Sequence, residues 1–101
     1  MIGIVKIHGQ SMAPALSGGD FVVTSRYYRK LSTNDLIIFK HPIYGRLIKR
    51  IKKIDRLGNI WVRGENKYSL SSEQMGIVAP SMVQAKVLFP IRQRQSLRLK
   101  I

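Results

Sequence analysis

A chain of 101 residues is the size of one compact domain, with 45% hydrophobic and 23% charged residues, so one folded domain is expected in place of two domains or wholesale disorder. Eighteen Lys and Arg against five Asp and Glu give a formal charge of +13, which attracts nucleic acid, anionic lipid or acidic protein without choosing among them. The absence of cysteine removes disulfides, thiolate catalysis and thiolate zinc sites, and no apolar run reaches the roughly 18 residues of a membrane span, so a soluble, cytoplasmic protein is expected.

The first element is Ile2 to Ile7, a β-branched run closed by His8-Gly9 and read as a strand entering a turn. Ser11 follows, among Gly9, Met12, Pro14 and small residues, and Gly18-Gly19-Asp20 marks a second turn before a strand over Phe21 to Tyr28. Ser11 therefore lies in a loop between two strands. Leu36 to Lys40 is a short apolar strand stopped by His41-Pro42. Arg46 to Asp55 suits helical spacing through Leu47, Ile48, Ile51 and Ile54, but its β-branched content and the hairpin-like Leu57-Gly58-Asn59 favour a strand. Asn59 to Arg63 pairs back, Gly64 to Pro80 is a long polar loop, and Met82 to Phe89 is a last strand before Pro90. The fold expected is mostly β, with a domain over residues 1–91 and a basic tail or edge strand over 92–101.

A serine attacks a carbonyl only when a base takes its proton. The two histidines, His8 and His41, have no matching carboxylate that the sequence identifies, and they make a poor metal site. Lysine is the other base, and it works only when burial keeps it neutral. On a strand, Leu47, Lys49 and Ile51 share one side and Arg46, Ile48 and Arg50 the other, which sets Lys49 among apolar neighbours. Lowering a lysine pKa to between 7 and 8 costs about 4 kcal/mol, so packing alone rarely retains such a group. On a helix, Lys49 is one more solvated charge.

The residues Gly9-x-Ser11-Met12-x-Pro14-x-Leu16, followed by Gly19-Asp20-x-Val22, resemble the nucleophile motif of the signal peptidase I and LexA-like serine/lysine proteases. Asn34-Asp35-Leu36-Ile37-Ile38-Phe39 resembles that superfamily's second strand motif, and Ile48-Lys49-Arg50-Ile51 the segment with its general-base lysine. Gly64-Glu65-Asn66, with Ser69 and Gly76, is similar to the later supporting loop. The resemblance implies a single β domain of coiled, partly barrel-like antiparallel sheets. It also implies Ser11 as nucleophile, Lys49 as base, Ser69 as the hydroxyl that orients the lysine, and Gly9, Met12 and Pro14 along the substrate cleft, with no cofactor or metal.

The chain departs from the pattern at Glu65, often Asp in the family, and at Ser71 and Glu73, often Asp and Arg. Gly9 stands where some members carry a serine, which leaves an oxyanion hole of backbone N–H alone. Only residues 1–10 precede Ser11, so neither the upstream DNA-binding domain nor the cleavage segment of the LexA type is expected. His41-Pro42, Lys49-Arg50 and Trp61-Val62-x-Gly64-Glu65-Asn66 resemble the small branch that matures nickel-type superoxide dismutase, which implies a leader-bearing dismutase precursor as partner.

Two other readings compete. Small basic β-barrels bind nucleic acid through aromatic platforms and cationic grooves, and Arg26-Tyr27-Tyr28-Arg29-Lys30 suits one. Glu65, Ser71 and Glu73 also suit a protease fold that has lost activity and only binds peptide.

Overall fold

The computed structural model describes residues 2–8, 16, 18–64 and 76–91. Six strands build the domain: β1 (Ile2–Lys6), β2 (Phe21–Ser25), β3 (Leu36–His41), β4 (Gly45–Ile54), β5 (Ile60–Arg63) and β6 (Val83–Ile91), with a 3-10 turn at Pro80–Met82. They form one antiparallel sheet in the order β1-β2-β6-β3-β4-β5, which is open, with β1 and β5 at its edges. The mostly β expectation holds, and in place of several sheets there is one that does not close.

Alternation along β3 divides the interior. Ile37 and Phe39 join Ile51, Ile60, Val62 and Val78 in one apolar cluster. Ile38, from the other side of the same strand, joins Ile7, Leu16, Val22 and Val87 in a second. A strand that feeds apolar side chains both ways reads as a continuous hydrophobic run, which Leu36-Ile37-Ile38-Phe39 is.

The β3–β4 hairpin turns in three residues, Pro42 to Tyr44, and Gly45 follows at φ 79°, a left-handed conformation that glycine adopts without a Cβ clash. His41 fastens this turn. Its Nδ1 accepts hydrogen bonds from the N–H groups of Ile43 (3.0 Å) and Tyr44 (3.2 Å), and its ring lies 4.9 Å from that of Tyr44. Pairing then runs in register from His41 with Gly45 to Leu36 with Arg50.

Several boundaries move by one residue, and three features differ further from the sequence reading. β2 stops at Ser25, not Tyr28, because the Ser25 hydroxyl donates to the Tyr27 carbonyl (2.7 Å) and accepts from the Tyr27 N–H (3.1 Å), folding the chain back on itself. The polar loop expected over Gly64 to Pro80 contains Val78, which is fully buried and exchanges two backbone hydrogen bonds with Ile60. Within the last strand, Pro90 continues the pairing with Val22, at an end of β6 that β3 does not reach. There the strand has a neighbour on one side only, where a missing N–H is tolerated. The proposed tail, 92–101, lies outside the described residues.

The loop expected to carry Ser11 is tied at both ends. The Ile7 N–H donates to the Asp20 carbonyl (2.7 Å) and the Gly19 N–H to the Ile7 carbonyl (3.0 Å), extending the β1–β2 ladder past the last paired strand residues. Between these ties, Leu16 is 1% exposed and packs in the second cluster. Leu16→Ala is expected to cost about 2–5 kcal/mol in urea unfolding, the usual loss for a buried leucine truncated to a methyl group.

Candidate active site

Lys49 belongs to β4, and the strand reading of that segment holds. Directly across the ladder from Lys49 is Ile37, and Lys49 shares its side of β4 with Leu47 and Ile51. The side chain is 2% exposed. No carboxylate or other hydrogen-bonding group among the described residues pairs with it. Burial moves the Lys49 pKa down from its ordinary 10.5, because a charged ammonium loses hydration that nothing among the described residues replaces.

The nearest lysine along the same row is held differently. Lys86 faces Ile37 from β6, and its Nζ pairs with the Asp35 carboxylate at 3.4 Å. Asp35 also accepts from the Ser32 N–H (2.8 Å), which fixes the carboxylate at the entry to β3. One row thus carries a solvated, paired cation at one position and a buried amine at another.

On sequence grounds His41 was a weakly supported base and a poor metal ligand, and in the structure it serves the hairpin, its Nδ1 accepting from two backbone donors. The signal that could have shown this is His-Pro-x-x-Gly, a turn with a side-chain acceptor at its first position. His8 is exposed at the end of a groove beside β1. Among the described residues no group of three or more His, Asp or Glu side chains converges as metal ligands would. The Trp61 ring lies 5.0 Å from Lys53 Nζ, a cation–π contact on β5, and Tyr27 is exposed beyond the end of β2. The other predicted site residues, Gly9, Ser11, Met12, Pro14 and Ser69, lie outside the described residues.

Residues 1–54 match the family model for signal peptidase, peptidase S26. The chain belongs to the signal peptidase family. The match covers more than half of the chain and takes in both the Ser11 segment and Lys49. As a member, the chain is a signal peptidase-type serine peptidase with a protein substrate. No curated protein matches it closely. Among the described residues, no helix is long and apolar enough to cross a membrane.

Burial of Lys49 has a thermodynamic consequence. The unfolded chain keeps the Lys49 proton up to about its ordinary 10.5, while the folded chain releases it lower, so between those two values unfolding takes up a proton and stability rises with pH. Below the folded value the cost of a buried ammonium is fully present. Lys49→Met, which keeps the length and removes the charge, is therefore expected to stabilise the fold at pH 7 by about 0.5–2 kcal/mol. The gain should shrink as pH approaches 10.5, measured by denaturant unfolding across that range.

His41 is assigned to structure by a separate expectation. His41→Ala should lose about 1–3 kcal/mol of stability through the two stranded turn donors, while peptidase activity under folding conditions stays within a few-fold.

Proposed function

We propose that the chain is a serine endopeptidase working through Ser11 and Lys49, and that it removes an N-terminal leader from a precursor protein. The observation that carries this reading is Lys49: a lysine on β4, 2% exposed, with its pKa lowered by burial and without a partner among the described residues. A lysine kept for structure is paired or solvated, as Lys86 is. A lysine kept as a base has to be neutral.

In this mechanism, neutral Lys49 takes the Ser11 hydroxyl proton as Oγ attacks the scissile carbonyl. The carbonyl oxygen gains the negative charge, and the Ser11 backbone N–H donates to it. Lys49 then gives its proton to the leaving amine, the C–N bond breaks, and an acyl-enzyme remains on Ser11. A water molecule, deprotonated by the same amine, attacks the ester and frees the serine. Ser69 holds Lys49 in line, and Gly9, Met12 and Pro14 line the cleft in which the residues before the scissile bond lie. The precursor proposed is that of nickel-type superoxide dismutase, whose metal belongs to the substrate and not to this chain.

Incubation with that leader-bearing precursor, followed by mass spectrometry, should yield one new N-terminus with the natural chain. With Ser11→Ala, Lys49→Ala or Lys49→Arg the rate should fall by at least about 10³-fold, the arginine failing because a guanidinium stays protonated. Activity should rise with pH through the Lys49 pKa, since the neutral amine is the working form, and this ascending limb should lie below 10.5. An ascending limb at the ordinary lysine value, or cleavage that survives Lys49→Ala, would remove Lys49 as the base.

A further inference from the structure

Two cavities flank β1 and share a wall. One of about 370 Å³ is lined by Ile2 to Val5 together with Thr24, Arg26, Arg46, Gln84 and Ala85. The other, about 280 Å³, is lined by Val5 to His8 with Ile38, Arg46, Leu47 and Ile48. Val5 and Arg46 belong to both, so the two form one groove that follows β1 from Ile2 to His8 with Arg46 at its middle. In sequence, Ser11 comes three residues after the His8 end.

Charge at this junction is unbalanced. Arg46 stands directly opposite Lys40 across the β3–β4 ladder, a like-charge pair that costs stability. Arg26, Lys6 and His8 are the other ionisable groups among the described residues of the groove walls, and no carboxylate is among them. Among the described residues none is available from nearby. Of the described acids, Asp35 is taken by Lys86 and the Ser32 N–H, Asp55 by the Leu57 and Asn59 N–H groups, and Asp20 is buried with partners of its own. Arg46 is exposed, with no ion-pair partner among the described residues. Among the described residues nothing supplies a negative group that would relieve the Lys40–Arg46 pair, and a carboxylate on a bound molecule would do so.

The groove also limits what that molecule is. Its walls are largely aliphatic, with His8 the one ring among the described lining residues, whereas grooves for single-stranded nucleic acid stack successive bases on several aromatic side chains. β1 is an edge strand whose outer backbone groups have no strand partner among the described residues, the arrangement onto which an extended peptide adds. We infer that this groove binds an extended segment of the substrate polypeptide and that Arg46 selects an Asp or Glu side chain at one fixed position in it. The inference rests on the peptidase reading for the identity of the bound polypeptide. Arg46 is a specificity residue, distinct from the Ser11–Lys49 pair.

The test uses fluorescein-labelled twelve-residue peptides of Ala, Ser and Val, each with a single Glu, Gln or Lys at one of successive positions, titrated by anisotropy into the full chain carrying Ser11→Ala. Glu at one position, or at two adjacent ones, should bind at least ten-fold tighter than Gln there. Arg46→Gln should erase that preference, and Arg46→Glu should turn it toward Lys at the same position. Equal gain from Glu at every position would show diffuse attraction to a chain of charge +13 and overturn the inference, as would no binding by any peptide or a preference that survives Arg46→Glu. A 20-nucleotide single strand that binds through Arg46, with no positional preference among peptides, would give the groove to nucleic acid and overturn it too. Cleavage by the natural chain is read separately. Positional Glu binding without cleavage keeps the Arg46 assignment and removes the peptidase reading, while cleavage indifferent to Glu does the reverse.

Discussion

A buried amine with no counter-charge among the described residues is the constraint around which this domain is arranged. Lys49 sits in the longest strand, opposite Ile37 and between Leu47 and Ile51, where an aliphatic side chain would pack at lower cost. Folding tolerates it because the apolar clusters on the two sides of β3 carry the stability elsewhere. What the fold supplies in return is a lysine that can be neutral where most amines are charged, and a proton acceptor needs that property.

The surrounding elements act on that position in different ways. The hairpin sets which side of β4 faces Ile37, the Asp35–Lys86 pair settles the neighbouring cation outside the core, and the bulge between Ile51 and Lys53 shifts the alternation so that Ile54 and Ile60 still pair. On the opposite flank, Leu16 and the ties at Ile7 and Asp20 hold the ends of the segment that carries the serine. Stability and function therefore meet in the same few strands.

Much of this was legible in the residues alone, for physical reasons that can be named. The β-branched content of the Arg46 to Asp55 run outweighed its helical spacing, and strand alternation then gave Lys49 its apolar side correctly. Local patterning failed where a distant partner decided the outcome. Val78 is an ordinary apolar residue in a polar stretch until Ile60 pairs with it, and Pro90 looks like a stop until β3 falls short of that end of β6. Ser25 closed its strand through its own hydroxyl, a bond that propensity does not register. His41 was disfavoured as base or ligand from the residues alone, but its role in the turn became visible only with the two backbone donors that claim its nitrogen. At the site, motif order marked Ser11 and Lys49 together, and of the pair only the lysine's setting lies within the described residues.

Surface turns are ordinarily where related chains gain and lose residues. The turn at residues 42–44 lacks that freedom. A single residue added or removed there and passed into the ladder would exchange the two sides of β4, placing Ile48 across from the first cluster and sending the Lys49 amine to the other side. Changes of length at this turn are compatible with the buried lysine only when they leave the β3–β4 pairing unshifted. Divergence among such domains should therefore be sparse in a loop that, by exposure alone, looks open to it.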